Sequence, residues 1–194
     1  LRPITITFPR LARADGSARF AFGPISALAS LSGPFPAPPA AEHPSGATLD
    51  ILVRPASNIP GPSARTHAAA LRAVLEAALV LARCPRTLVS VVVQALGHSV
   101  GAGAGRGRRA GKGREDVLIN AAACAALCAA SLPLRGVPVA LSVACLPAPT
   151  ASGSGAAILV LDPTDAELAA AGAAGCFAFV VGRGAAVPVW MAWR

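Results

Sequence analysis

The sequence contains no tyrosine, and only 4% of its 194 residues are aromatic. Proteins that read single-stranded RNA by sequence stack the bases on aromatic side chains, so this scarcity argues against such recognition. Charged residues are also few, at 13%, which is low for a soluble protein that stands alone. We therefore expect other protein to cover part of the surface.

The five cysteines give no indication of a disulfide framework or a metal site. Their number is odd, and four of the five lie within apolar runs. Cys124 and Cys128 are four residues apart in a helical stretch, which fits a buried face, and no histidine nearby completes a zinc ligand set. We predict reduced thiols, as in the cytosol or nucleus, with no metal and no other cofactor.

Targeting and membrane segments are also not indicated. The first residues show no signal-peptide pattern. The apolar run from Val117 to Leu134 is rich in alanine and meets Pro133 at its end. A packed core helix explains this run better than a membrane span does, because it lacks the density of large apolar residues that a span requires.

Positive charge is concentrated in one segment. The formal net charge is +8, but without five clustered residues the remaining 12 basic and 9 acidic residues give only +3. A basic loop that contacts a polyanion and a loop that only keeps the surface soluble both fit this pattern, and the sequence does not decide between them. The clustered residues are Arg106, Arg108, Arg109, Lys112 and Arg114.

Hydrophobic periodicity predicts strands that alternate with helices in one domain over residues 1–194. Ser63 is a plausible N-cap for the first helix, and the dense β-branched run at 87–96 predicts a strand covered on both faces. Residues 33–45 and the Gly-rich segment around 98–115 are predicted to be loops, the second one mobile. The predicted strands are 19–22, 26–32, 48–54, 87–96, 137–146, 156–161, 175–181 and 186–193, and the predicted helices are 63–83, 117–130 and 165–171. This order favours an α/β or α+β sandwich built on a mixed sheet.

Several short segments, in this order, resemble the RNase PH-like family. The resemblance implies an RNase PH-like fold of mixed β-sheets packed with two main helices, which is also seen in a ribosomal-protein domain, and assembly into a six-membered ring. It is strongest towards a subunit of the eukaryotic RNA exosome ring. The segments are Arg13–Phe20, Ala47–Pro55, Leu71–Val74, Pro85–Thr87, Val91–Gln94, Asn120–Ala123 with Leu127, and Leu161–Thr164.

Active members of this family cleave RNA from its 3′ end with inorganic phosphate, which requires a fixed cation for the attacking anion. Where the resemblance places the phosphate-binding arginine, this sequence has Asp116 or Val117, and where it places a further arginine it has Ala69. An acid at that place repels phosphate and a valine cannot bind it. The resemblance therefore implies a degenerate phosphorolytic site.

The family's acidic cluster is only partly present in this sequence. Asp162 matches its first acid, but Thr164 stands at the second, which Asp165 or Glu167 could replace only if the turn directs them inward. Asp162 itself has two interpretations, a site residue or a turn residue in which Asp-Pro shapes the backbone, and we favour the second.

We therefore expect a non-catalytic structural subunit of the exosome core ring, which supports 3′-to-5′ RNA processing and degradation. The expected partners are other RNase PH-like ring subunits, cap subunits and RNA, in the nucleus, nucleolus and cytoplasm. Contact with RNA is expected through the five clustered basic residues and Arg65. An active phosphorolytic exoribonuclease and a stand-alone RNA-binding module remain as alternatives. The family usually continues into a C-terminal helix, which we expect to be missing after Trp193.

Overall fold

In the computed structural model, which describes residues 2–59, 61–96, 115–129, 131–147, 157–182 and 184–193, two β-sheets enclose two main helices. The inner faces of both sheets carry small and branched apolar residues, and these form one core with the helices. This arrangement confirms the predicted class of α/β or α+β architecture with mixed sheets and two main helices. The basic segment that we predicted to be mobile lies outside the described residues.

The first sheet has five strands in the order β1-β2-β3-β5-β4. Its pairs are antiparallel except for β4 and β5, which are parallel because the first helix crosses over between them. The strands are β1 (Ile4–Thr7), β2 (Gly16–Phe22), β3 (Ile25–Pro36), β4 (Thr48–Arg54) and β5 (Thr87–Ala95).

The second sheet has four strands in the order β7-β6-β8-β9, and all of its pairs are antiparallel. The strands are β6 (Val137–Pro147), β7 (Ala157–Leu161), β8 (Ala173–Gly182) and β9 (Ala185–Trp193). The outer face of this sheet carries no charged side chain on its strands. The residues of this outer face alternate along the strands with residues of the inner face. Several of them are well exposed, namely Val137, Val139, Leu159, Leu161, Val181, Met191 and Trp193.

Helices α1 (Pro62–Ala78) and α2 (Glu115–Cys128) lie between the sheets, and α3 (Asp165–Ala170) follows β7. Most residues of α2 are buried, as its continuous apolar sequence predicts. Gly16 of β2 allows α2 to approach closely, since a Cβ atom there would lie 2.3 Å from the Ala125 carbonyl oxygen.

No helix within the described ranges is long and apolar enough to cross a membrane.

Five details of the predicted elements are wrong. Strand β3 continues to Pro36, beyond the predicted loop boundary, because a register shift between Ser32 and Phe35 lets the chain pair again with β5. Helix α1 has Gly61 as its N-cap, so Ser63 lies inside the helix. It ends at Ala78, before the predicted end, because Leu79 becomes extended and bridges to Leu134.

The other two details concern burial. In β5 only one face is fully buried, since half-buried residues alternate with the buried valines. In α2, Cys128 is exposed although Cys124 is half-buried. An apolar run in the sequence does not show by itself that every residue in the run is buried. Apolar side chains also lie on the surfaces of folded proteins. All five cysteines are free thiols.

Candidate functional site

Asp116 and Asp162, the two acids singled out from the sequence, lie together at one end of α2. Asp116 is in the first turn of this helix and is fully buried, while the next residue, Val117, packs in the hydrophobic core. Of the two residues that could take the place of the phosphate-binding arginine, it is therefore Asp116 that faces Asp162 and its surroundings. This end of α2 presents a carboxylate, which is the wrong charge for phosphate.

A residue that the sequence analysis missed joins the two acids. The Arg2 guanidinium donates from Nη2 to Asp116 Oδ2 at 3.3 Å and from Nε to Asp162 Oδ1 at 2.5 Å, and Nη2 also forms an ion pair with Asp162. The backbone amide of Arg2 donates to Asp162 Oδ2 at 2.6 Å. We call Arg2, Asp116 and Asp162 the Arg2 cluster.

Packing holds the Arg2 side chain in place. Its guanidinium carbon lies 4.8 Å from the centre of the Phe22 ring, a cation–π contact at the end of β2. Phe22 is fixed in turn by an edge-to-face contact with Phe20. Gly23, which takes a left-handed φ of 56° in the following turn, lies against the Arg2 stem and donates its amide to the Pro3 carbonyl at 2.9 Å. The arginine is thus positioned from several sides.

Asp162 has the backbone of the turn residue that we favoured, and its side chain also takes part in the Arg2 cluster. It has the left-handed φ of 54° that aspartate tolerates in turns, and its amide donates to the Ser142 carbonyl at 2.9 Å. Its carboxylate at the same time pairs with Arg2. Burial alone would raise the pKa of Asp162, but the hydrogen bonds and positive charge of Arg2 outweigh burial and hold this pKa below its ordinary value of 3.8.

Glu167, which could take the place of the family's second acid, is held by a helix cap. Thr164 is the N-cap of α3, and its backbone amide donates to the Glu167 carboxylate at 2.7 Å in a reciprocal capping box. These hydrogen bonds from Thr164 lower the pKa of Glu167. Asp165 is the first residue of α3, and its side chain lies outside the described part. Glu167 is therefore occupied in capping a helix.

A second pair lies beside the cluster. The carboxylate of Glu115, which precedes Asp116 in α2, is buried and lies 3.7 Å from Nδ1 of the half-buried His67 on α1. Ala69, which stands where the family resemblance places an arginine, is exposed on α1. Burial raises the pKa of the neighbouring Cys176 thiol, and the charges of Asp116 and Glu115 raise this pKa further. Within the described ranges, no three His, Cys, Asp or Glu side chains converge as a metal site would require.

Of the six residues expected to contact RNA, only one lies in the described part of the chain. Arg65 is exposed in the first turn of α1. The other five lie in the segment immediately before Glu115 and outside the described residues.

Residues 1–133 match the family model of the RNase PH 3′ exoribonuclease family, domain 1. The chain belongs to the RNase PH family. Among curated proteins, it is 31% identical over 141 residues to a rice protein (Oryza sativa subsp. japonica) named exosome complex exonuclease RRP46 homolog. This match covers 73% of the chain and 54% of the rice protein, so the chain matches about half the length of this relative.

Solved structures share the fold over the whole chain. Rice Rrp46 superposes with a TM-score of 0.80 at 24% identity, and 81% of its chain is covered. An archaeal exosome core gives 0.69 at 16% identity with 75% covered. The Archaeoglobus fulgidus exosome with RNA bound to the active site gives 0.67 at 16% identity with 77% covered. The predicted RNase PH-like fold is confirmed.

Proposed function

We propose that this chain is a non-catalytic structural subunit of an exosome-type ring of RNase PH-like proteins. In this role it supports 3′-to-5′ RNA processing and degradation, including the processing of ribosomal RNA and the decay of mRNA. Its partners are other RNase PH-like ring subunits, cap subunits and RNA. Nucleus, nucleolus and cytoplasm are the compartments in which such a subunit acts.

The observation that carries the proposed lack of catalysis is the pairing of Asp116 and Asp162 with one arginine. Phosphorolysis needs a cation that is free to hold an attacking phosphate and an acid that is free to handle protons or a metal ion. Here the guanidinium is held by two carboxylates, and an acid occupies the first turn of α2, where the attacking anion would need positive charge. Phosphate would have to displace a carboxylate from Arg2 and then remain beside two negative charges.

A role within an assembly is supported by the surface. The outer face of the second sheet is uncharged on its strands, and Leu159 and Met191 on this face are about two-thirds or more exposed. Contiguous apolar surface of this kind is typical of proteins that are covered by other protein. The similarity to the rice RRP46 homolog adds to this support, since the name of that relative assigns it to the exosome complex.

A role in RNA contact is supported by charge. The basic cluster at 106–114 immediately precedes α2 in the sequence, and Arg65 is exposed in the first turn of α1. Electrostatic contact with RNA phosphates tolerates a Gly-rich segment, whereas catalysis needs groups that are held in fixed positions. The chain therefore fits binding of RNA better than cleavage of RNA.

The deciding experiment incubates the purified chain with single-stranded RNA and inorganic phosphate and measures released nucleoside diphosphates. We expect no release above a sample without protein, while an active RNase PH in the same buffer gives robust release. Turnover by this chain that is lost in Asp162→Ala would establish the active enzyme instead. Co-purification with other ring subunits tests the structural part of the proposal, and a mass corresponding to a monomer in their presence would contradict it.

A further inference from the structure

Two open clefts lie side by side at the connection between β1 and β2. Each has a volume of about 400 Å³, within the range of about 300–1,000 Å³ that is usual for small-molecule sites. We call them the Phe8 cleft and the Phe35 cleft. The Phe8 cleft is lined by Phe8, Arg10 and Ser17, the Phe35 cleft is lined by Phe35 and Ser131, and Asp15 lines both.

Hydrogen bonds fix the backbone of the Phe8 cleft. The buried Ser17 hydroxyl donates to the Pro9 carbonyl oxygen and accepts from the Leu11 amide at 3.4 Å. Phe8 and Arg10 alternate with these two residues along the chain. The points from which their side chains leave the backbone are therefore set by a buried group, although the side chains themselves are exposed.

The Phe35 cleft is held in a similar way. The Asp15 carboxylate accepts a hydrogen bond from the Gly33 amide at 2.8 Å, and the Ser131 hydroxyl donates to the Gly33 carbonyl oxygen at 2.8 Å. Side chains thus satisfy both backbone groups of Gly33, two residues before Phe35 in β3. Because both clefts are held in this way, a ligand has less of the protein to order when it binds.

Each cleft presents one exposed aromatic ring. Phe8 is 60% exposed and Phe35 is 48% exposed, in a sequence that has only six phenylalanines and two tryptophans. Neither ring contacts another aromatic side chain in the part of the chain that the structure describes. An exposed ring of this kind is a surface on which any nucleobase can stack, because every base has a π-face.

Positive charge lies beside the rings. Arg10 lines the Phe8 cleft and Arg13 is exposed in the same connection, and neither forms an ion pair within the described ranges. An apolar protein segment bound here would cover Arg10 without supplying a counter-charge, which is costly. RNA supplies a base for each ring and a phosphate for each guanidinium, so it fits this surface better than an apolar protein segment does.

We propose that the Phe8 and Phe35 clefts bind two nucleotides of single-stranded RNA, with one base stacked on each ring and the phosphates held by Arg10 and Arg13. This inference deepens the proposed contact with RNA and rests on it, and it adds a contact outside the basic cluster at 106–114. Since a ring accepts every base, the two clefts hold RNA without reading its sequence.

The test compares two labelled strands of equal length by fluorescence anisotropy, an oligoadenylate and an abasic RNA that has the same phosphates and no bases. The wild type should bind the oligoadenylate more tightly. Phe8→Leu keeps an apolar side chain and removes the ring, so it should weaken binding of the oligoadenylate by about fivefold or more and leave binding of the abasic strand unchanged. Phe35→Leu should have the same effect, and Phe8→Tyr, which keeps the ring, should bind like the wild type.

The role of charge is tested separately. Arg10→Gln should weaken binding of both strands by a similar factor and make binding less dependent on salt, because a phosphate contact does not distinguish the strands. Two matched controls lie away from the clefts and should bind the oligoadenylate like the wild type. Phe179→Leu removes a ring from β8, and Arg54→Gln removes an exposed charge from β4, at the opposite edge of the first sheet from β1.

Several outcomes would overturn the inference. One is equal affinity of Phe8→Leu and the wild type for the oligoadenylate, and another is an equal loss for both strands, since the ring then does not contact bases. If Phe8→Leu keeps RNA binding but no longer co-purifies with ring subunits, the clefts are a protein interface and the inference is wrong. A wild type that binds neither strand would refute the proposed contact with RNA itself, whereas a wild type that binds both strands equally would refute only the stacking on these rings.

Discussion

The ion pair at Asp162 predicts a defined dependence of stability on pH. Replacing this residue by asparagine keeps its size and keeps an acceptor for the Arg2 amide, but it removes the negative charge that faces the guanidinium. Hydrogen bonds to charged groups contribute about 1.5–3 kcal/mol each. Because the Asp162 side chain is partly exposed, we expect a loss of about 2 kcal/mol in the free energy of unfolding at pH 7.

For a chain of this size, a loss of about 2 kcal/mol corresponds to a melting temperature about 4–8 °C lower. The sign of the pH effect follows from the lowered pKa of Asp162. A carboxyl whose pKa is lower in the folded state adds stability above its unfolded pKa, near 3.8, and this stability is lost as the pH falls through the folded pKa. The wild type and Asp162→Asn should therefore differ most at neutral pH and converge at acidic pH, once the pH has fallen below the folded pKa of Asp162.

The assay is thermal unfolding of both proteins, under reducing conditions, between neutral and acidic pH. Asp50→Asn provides the control, since it makes the same chemical change at an exposed position in β4 and should leave the profile unchanged. A difference between wild type and Asp162→Asn that is constant across the pH range, or absent at pH 7, would refute the role assigned to the charge of Asp162.

Three further predictions concern packing and the basic segment. The Asn120 side chain forms hydrogen bonds with both backbone groups of Ala140, at 2.7 and 2.9 Å. Asn120→Ala should therefore reduce the free energy of unfolding by about 2–4 kcal/mol and speed hydrogen exchange of the Ala140 amide. Unchanged exchange would contradict this prediction. Gly16→Ala should lower stability by about 1–3 kcal/mol in denaturant unfolding, because its Cβ would overlap the backbone of α2, whereas Gly172→Ala, with open space around its Cβ, should not. Deleting residues 101–113 should leave the melting temperature nearly unchanged and make RNA binding weaker and less dependent on salt; an unaltered salt slope would show that this segment does not touch phosphates.

Local patterns in the sequence predicted most of the elements. Burial that repeats along one segment leaves a pattern in the sequence, which can be recognised without knowing which elements the segment packs against. Examples are the alternation in β4, the β-branched run of β5 and the continuous apolar stretch of α2. The short motifs around Asp15–Gly16 and Leu161–Thr164 indicated the family, and the family model confirms it. Asp116 and Asp162 were singled out from the sequence because the family resemblance assigns chemistry to their positions.

Other features depend on neighbours that the sequence does not reveal. Strand β1 is exposed throughout and has no alternating burial, so only its pairing with β2 defines it. The end of α1 is set by the bridge from Leu79 to Leu134 and not by a local stop signal. The extension of β3 past Gly33 likewise depends on its pairing with β5.

The sequence by itself indicated the family, the class of fold with mixed sheets and, through the family resemblance, the lack of a phosphate-binding arginine at Asp116 or Val117. Only the tertiary structure showed that Arg2 pairs with both Asp116 and Asp162. Arg2 lies 114 residues from Asp116 and 160 residues from Asp162, and an arginine near the start of a chain carries no local pattern that names such partners. Periodicity records the burial of neighbouring residues, whereas an ion pair between distant segments exists only after the sheets and α2 have packed together.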